Sequence, residues 1–209
     1  MFPFPFSFVA PTASGLADID NVYSMEFDGT DDYIYTPSPS LGITNTWSVS
    51  TWVKTADKTS DGGSFRGWFA TGGWNTTLDF KISVRSDNGY ASVWESGNEK
   101  IVGTSDITDN NWYNVVLTKT ASDLTLFVNG VQQATVSNSS TWAFNNIYIG
   151  AGGQSTNITG AGMWNGNIDE LAIFDYALDA DQIDEIYNAT SSGKTADLST
   201  MATPPVAWY

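Results

Sequence analysis

The chain has 209 residues, enough to bury a full core as one domain, and it contains neither cysteine nor histidine. These two absences exclude cysteine nucleophiles, Ser-His-Asp triads and histidine-based zinc sites. Eight Lys and Arg against 23 Asp and Glu give a formal net charge of −15. Because the few cations are scattered along the sequence, we expect no binding to nucleic acid and no insertion into membranes.

The first segment, residues 1–20, is predicted to be an apolar arm. It places Phe2, Phe4, Phe6 and Phe8 among three prolines and has no basic stretch, which argues against a signal peptide. In an extended chain these four rings project to one side, which suits docking on another subunit. A disordered tail and a targeting segment are the alternatives.

Residues 21–190 contain about a dozen short apolar runs separated by Gly, Asn and Asp, the pattern of an all-β fold. The clearest local signal is Asn129-Gly130 between two alternating runs, which predicts a type I′ hairpin turn. One short helix follows near the end: Asp179 is a good N-cap, and Gln182 stands at capping-box spacing. We therefore predict a two-sheet antiparallel β-sandwich, or jelly roll, with one short C-terminal helix.

The last predicted strand, residues 168–174, changes from alternating to almost wholly apolar, as a strand buried on both faces does. Asp169 and Glu170 are neighbours in it, so they are expected to face opposite sides. Residues 191–209 are predicted to be a Ser/Thr/Pro-rich tail. Its terminal Trp208 and Tyr209 could pack back on the domain, dock on a partner or begin a further segment.

Three motifs in this order resemble the laminin-G-like, concanavalin-A-like jelly-roll family. The opening "FDG…DDY" pattern matches residues 25–34, the central "W…v…yvNG" pattern matches residues 112–130, and the closing motif matches residues 168–183. The flanks look like those of marine bacteriophage virion proteins that carry this domain. The resemblance implies the sandwich fold over residues 22–188.

Acidic residues crowd one predicted turn, where Asp28, Asp31 and Asp32 lie close together. Either these side chains cap their own turn or a hard cation with oxygen ligands neutralises them. In the family resembled, a calcium ion often joins the opening turn to the closing strand. The resemblance therefore implies calcium at Asp28, Asp32 and Asp169.

Two further kinds of site were considered. The five glutamates do not form the strand-borne E-x-D-x-x-E arrangement of jelly-roll glucanases, so we predict that the chain is not an enzyme.

The candidate sugar-binding residues pair an aromatic ring with side-chain amides near predicted loops. They are Trp74 with Asn75, and Trp142 near Asn145 and Asn146. Most tryptophans are expected in the core, with Trp47, Trp52 and Trp112 the clearest cases.

These observations lead to one leading functional expectation. The chain is expected to be a non-enzymatic virion surface protein, either a capsid decoration or a tail or fibre component, that exposes a lectin-like jelly roll. Its expected partners are other virion subunits or further copies of itself, held through the terminal arms, and possible surface glycans. A free extracellular carbohydrate-binding module or adhesin is the alternative, and a glycan-active enzyme ranks third.

Overall fold

The structure is a computed structural model that describes residues 16–37, 39–43, 45–58, 65–72, 80–142, 144, 146–152, 162–189 and 194–209. The predicted arm residues Phe2, Phe4, Phe6 and Phe8 lie outside these ranges, as do Trp74 and Asn75. Among the described residues, no helix is long and apolar enough to span a membrane.

The described chain is mostly β-structure, as predicted. Its elements follow in the order β1 (Asp18–Asp20), β2 (Met25–Asp28), β3 (Ile34–Pro37), β4 (Trp47–Lys54), β5 (Phe65–Thr71), β6 (Phe80–Arg85), β7 (Tyr90–Glu95), β8 (Asn98–Asp106), β9 (Tyr113–Lys119), β10 (Asp123–Val128), β11 (Val131–Ser137), β12 (Asn146–Ile149), β13 (Asn165–Phe174), α1 (Ala180–Asn188), β14 (Lys194–Ala196), a 3-10 turn (Leu198–Thr200) and β15 (Ala207–Trp208).

Two antiparallel sheets form the sandwich. The six-stranded sheet has the order β3-β12-β5-β6-β7-β8. The seven-stranded sheet has the order β11-β10-β9-β4-β13-β15, and β2 also pairs with β13. The fold class predicted from the sequence is therefore confirmed.

Aromatic rings fill the core between the sheets. Phe80 stacks on Trp47 and on Trp142 with 4.7 Å between ring centroids in each pair, and Phe144 meets Trp47 edge-on at 5.4 Å. Stacked and edge-to-face rings are the favoured geometries of aromatic pairs and stabilise the core beyond the burial of their area.

A second apolar cluster lies on the other side of the seven-stranded sheet. Leu171 and Ile173 of β13 point into the sandwich core, whereas Ala172 and Phe174 pack under α1 and the C-terminal segment. This confirms that the closing strand is buried on both faces. The capping box at Asp179 and Gln182 is also present.

The hairpin turn between β10 and β11 has the predicted geometry. Asn129 and Gly130 both have positive φ, 50° and 76°, as a type I′ turn requires. A Cβ at Gly130 would also lie 2.7 Å from Asp184 Oδ1, so the Asp184 side chain would have to move.

Both flanks contribute to the packed domain. Asp18–Asp20 pairs with Lys194–Ala196 as a small two-stranded sheet, and Leu198 and Met201 are buried in the cluster under α1. The terminal residues Trp208 and Tyr209 bond to β13, so the tail packs back on the domain. The domain divisions after residues 20 and 190 stay predictions.

Candidate functional site

One line of side chains crosses the outer face of the six-stranded sheet. Register partners join Tyr35 to Tyr148, Tyr148 to Ala70, Ala70 to Lys81, Lys81 to Trp94 and Trp94 to Glu99. Their sequence neighbours, such as Ile149, Ile82 and Val93, point into the core. Because side chains alternate between the faces of a sheet, this cross-strand row faces away from the core. We call these six residues the cross-strand row.

Tyrosines form one end of the row. The rings of Tyr35 and Tyr148 stack with centroids 4.9 Å apart, and Tyr33 lies 6.3 Å from Tyr148. The Tyr35 hydroxyl donates to Asn146 Oδ1 at 3.0 Å. Tyr33 and Tyr35 are 41% and 45% exposed, so this end presents ring surface to solvent.

Lys81 and Trp94 form the centre of the row. The Lys81 ammonium lies 5.4 Å from the centroid of the Trp94 ring, within cation–π range. Trp94 is half-buried, and its indole N–H donates to Ser92 Oγ at 3.1 Å. Ser92 in turn shares a 3.0 Å hydrogen bond with Ser83. The ring is thus held in one orientation by hydroxyl groups beneath it.

The far end of the row is charged. Arg85 donates to Glu99 at 3.0 Å and to Asp87 at 2.7 Å. Burial raises the pKa of Glu99, and the positive charge of Arg85 only partly offsets it. A register shift between Val93 and Trp94 turns Glu99 to this face.

The accessible groups of the row lie towards its two ends, because Ala70, Tyr148 and Lys81 between them are buried. Flat ring surfaces lie at the tyrosine end and at Trp94, while an amide, hydroxyls and a paired carboxylate stand beside them. A few placed polar groups among aromatic surfaces are what small-molecule sites use to orient a ligand.

The acidic turn after β2 brings together only part of the predicted calcium site. Carboxylate oxygens of Asp28, Asp31 and Asp32 all lie within 4.8 Å of one another, and all three residues are exposed. Asp28 Oδ1 accepts from the Thr30 N–H at 2.7 Å, so the turn-capping interaction is present. These three carboxylates are a suitable set of hard-cation ligands, and calcium binding here stays a prediction.

Asp169, the third residue of the predicted calcium site, lies apart from this cluster. Asn165 is the β13 residue opposite Asp28, and Asp169 lies four residues further along the strand, about 13 Å away at the usual rise per residue. Asp169 instead accepts a hydrogen bond from the Asn21 amide at 2.9 Å.

The prediction that Asp169 and Glu170 face opposite sides is wrong. The pairing of β13 with β4 shifts register between Asp169 and Ala172, and Glu170 has φ of 49°. This bulge turns both carboxylates to the Asn21 amide nitrogen, which lies 2.9 Å from Asp169 and 2.8 Å from Glu170. Strict alternation holds only in an uninterrupted strand.

Among the described residues, those that donate a hydrogen bond to the Glu170 side chain are uncharged. Trp208 donates its indole N–H to Glu170 Oε2 at 2.5 Å. Burial, reinforced by the nearby Asp169 and Asp197 charges, raises the pKa of Glu170 to about 7. Burial likewise raises the pKa of Asp169.

Two tryptophans differ from their predicted environments. Trp142 is only 2% exposed, and its indole N–H donates to the buried Glu95 carboxylate, so its ring is not available as an exposed binding surface. Trp112 was expected in the core but is 37% exposed beside Asn110 and Asn111. Trp47 and Trp52 are buried as expected.

Sequence reasoning missed the cross-strand row. The alternation of Tyr90, Ser92 and Trp94 in β7 is visible in the sequence and places Trp94 on one face. The row itself depends on pairing between β3 and β12, which are separated by more than 100 residues. No local pattern encodes that register.

Comparison with known proteins agrees with this fold. No curated protein matches the chain. The chain is similar to the heptameric SAP-like pentraxin of Limulus polyphemus, with a TM-score of 0.62, 16% identity, and coverage of 78% of this chain and 81% of the pentraxin.

Two bacterial domains are also similar in structure. The CBM40 of the Ruminococcus gnavus IT-sialidase, bound to alpha2,3 sialyllactose, matches with a TM-score of 0.60 and 14% identity over 81% of this chain and 97% of that domain. Domain 4 of the arabinanase AbnA of Geobacillus stearothermophilus, in complex with arabinotriose, matches with a TM-score of 0.60 and 21% identity over 81% of this chain and 80% of that domain. A family model matches residues 28–184, three quarters of the chain, and the protein therefore belongs to the concanavalin A-like lectin/glucanases superfamily.

Proposed function

We propose that this chain is a non-enzymatic, lectin-like surface protein that binds an oligosaccharide along the cross-strand row. The observation that carries the proposal is the row itself, which aligns ring surfaces and polar groups from neighbouring strands on one face. Tyr35 and Trp94 are separated by four strand spacings, about 19 Å, with buried residues between them. A ligand that contacts both rings must therefore be an elongated chain that lies across the strands.

The chemistry of the row favours an uncharged glycan. Arg85 is occupied by Asp87 and Glu99, and the ammonium of Lys81 lies against Trp94. The chain carries a net charge of −15, which repels anionic ligands at low salt. Two similar structures contain bound oligosaccharides, which supports an oligosaccharide ligand. Of these two ligands, arabinotriose is uncharged and sialyllactose is anionic, so only the first agrees with the charge argument.

A binding role is favoured over hydrolysis. Glycosidases use two carboxyl groups that flank the scissile bond, about 5–9.5 Å apart. In the described part of the row, Glu99 is the single carboxylate, and it is ion-paired with Arg85. A glycan-active enzyme therefore remains the third candidate.

The test is glycan-array screening followed by calorimetry on the best ligand. Trp94→Ala should weaken binding at least tenfold because it removes the central ring of the row. Trp112→Ala is the matched control, because it removes an exposed tryptophan that lies outside the row. Equal affinities of the wild type and Trp94→Ala, with both folded, would refute the row as the binding site.

We further propose that the protein is displayed on a virion surface, as a capsid decoration or as a tail or fibre component. The support is the placement of the described chain ends. Leu16 and the C-terminal segment pack on the outer side of the seven-stranded sheet, whereas the cross-strand row belongs to the six-stranded sheet. A protein attached by its ends would therefore present the row outward.

Immunoelectron microscopy tests this placement. Antibodies against the isolated chain should label intact particles from the source, and fragments that bind the row should label them as well. Unlabelled particles together with label on free protein would favour the alternative, a free extracellular carbohydrate-binding module or adhesin.

A further inference from the structure

β3 is the outer strand of the six-stranded sheet. In the described residues it pairs only with β12, from Ile34 opposite Ile149 to Pro37 opposite Asn146. The strand at the far edge of this sheet, β8, instead packs closely against β11 of the other sheet. Among the described residues, β3 therefore keeps one edge of backbone groups free of strand pairing, which can accept an additional strand over a short length. The strand has four residues, and the last of them, Pro37, has no N–H to donate.

β3 itself carries no charge, although Asp31 and Asp32 lie just before it in the chain. Natural sheets discourage strand addition with charged side chains at their edges. No Asp, Glu, Lys or Arg occurs from Tyr33 to Val53, although the chain carries 31 such residues in all, 8 plus 23. β2, an edge strand of the other sheet, is different, because it exposes Glu26 and Asp28. The exposed aromatic residues at β3 are Tyr35 within the strand and Tyr33 just before it.

The sequence of the N-terminal arm suits one-sided strand pairing. In an extended chain, successive residues direct their N–H groups to opposite edges. Phe2, Phe4, Phe6 and Phe8 therefore direct their N–H groups to one edge, and Pro3 and Pro5, which have none, occupy the other. Such a strand can pair with a sheet on the phenylalanine edge and blocks a further strand on the proline edge.

Charge also favours this pairing between two copies. Residues 1–17 contain no Asp, Glu, Lys or Arg, so an arm and the β3 edge can meet without adding like charges to the contact. Two chains that each carry −15 otherwise repel one another.

We propose that residues 2–8 of one copy add as an edge strand to β3 of a second copy. The root of the arm favours the second copy over the same chain, because Leu16 packs against the apolar cluster under α1 on the outer side of the seven-stranded sheet, whereas β3 lies in the other sheet. This inference rests on the proposed attachment through the chain ends and does not depend on glycan binding.

The experiment measures the molar mass of the full chain by light scattering over a range of concentrations. The wild type should associate, and Thr36→Asp, which adds a charge to β3, should raise the dissociation constant at least tenfold. Ser40→Asp adds the same charge at an exposed position outside β3 and should leave association unchanged. Melting temperatures confirm that both variants fold.

A second set of variants tests which edge of the arm pairs with β3. Phe6→Pro removes an N–H from the phenylalanine edge and should abolish association, with Phe6→Ala reporting the loss of the ring alone. Ser7→Pro removes an N–H from the proline edge and should be tolerated. The β3 amides should also exchange hydrogen more slowly in the assembled wild type.

Three outcomes would overturn the proposal. A wild type that stays monomeric at all concentrations excludes association, and a monomer with β3 amides protected by the arm shows docking within one chain. Association that is lost in Phe6→Pro but unchanged in Thr36→Asp would show that the arm binds a surface other than β3. That last result would leave attachment through the chain ends intact.

Discussion

The Trp208 indole nitrogen lies 2.5 Å from Glu170 Oε2 and joins the C-terminal strand to the bulge of β13. The Asn21 amide contacts the other oxygen of the same carboxylate at 2.8 Å, from the N-terminal side. Glu170 thus holds both flanks of the domain, and its positive φ is the backbone cost of turning it to this position. The flanks are joined at a group that titrates near neutral pH.

Ionisation of Glu170 should destabilise the fold as pH rises. Burial raises its pKa from 4.5 to about 7, so the folded state holds a proton that the unfolded state releases between these values. The contribution of Glu170 is fully present below pH 4.5 and is lost as pH rises to about 7. Because the site is half-buried and screened by solvent, we expect a loss of about 1–2 kcal/mol.

The comparison of wild type with Glu170→Gln measures this effect. Glutamine does not ionise, although its amide nitrogen cannot accept one of the two hydrogen bonds that the carboxylate oxygens accept. The free energy of unfolding of the variant, measured with urea, should therefore lack the fall that the wild type shows between pH 4.5 and pH 8. Glu26→Gln, at an exposed position on β2, is the control. A constant difference across this pH range would show that Glu170 does not titrate as described.

Trp142 should behave as a core residue. It stacks on Phe80 at 4.7 Å and donates to Glu95. Burial acts to raise the pKa of Glu95, but hydrogen bonds from Ser140, Trp142 and Lys100 together with the charge of Lys100 hold that pKa below its usual range. Trp142→Ala should lower the free energy of unfolding by about 3–5 kcal/mol. Trp112→Ala, at an exposed ring, should cost much less, and similar losses for the two would contradict these assignments.

The sequence predicted correctly those elements whose structure depends on residues close together in the chain. The turn at Asn129 and Gly130, the capping box at Asp179 and the two-sided burial of β13 each follow from a few neighbouring residues. The burial of Trp142 does not, because its partner Glu95 lies 47 residues away. A polar partner of this kind lets a tryptophan that lies outside any strand enter the core.

The candidate site was harder to predict than the fold for two reasons. The cross-strand row depends on long-range register, and the bulge at Glu170 reverses the side that strand alternation assigns to it. The calcium ligand Asp169 was inferred by resemblance to a family, and the register of β2 against β13 places it away from the acidic turn. Neither register nor bulge has a signal in the residues concerned.

No hydrolase activity is expected from this chain. Glu99 in the row is held by Arg85, and the Asp169–Glu170 pair lies on β13, in the other sheet. Incubation with β-glucans, galactans or alginate should release no reducing ends. Activity that disappears in Glu99→Gln would contradict this expectation and place a catalytic acid in the row.

Calcium is expected to stabilise the domain through the acidic turn alone. Three exposed carboxylates whose oxygens lie within 4.8 Å repel one another unless a cation is shared among them. A ligand that binds only the folded state at about 100-fold excess over its Kd adds about 2.7 kcal/mol. Chelator should therefore lower the melting temperature of protein purified with calcium.

Two variants separate the revised ligand set from the one that the family resemblance implied. Asp31→Asn should remove most of the response to calcium, because Asp31 belongs to the cluster. Asp169→Asn should keep the response, because that carboxylate bonds to Asn21 on another part of β13. A melting temperature that is the same with calcium and with chelator would leave these aspartates as caps of their own turn, and a response lost only in Asp169→Asn would restore the original set.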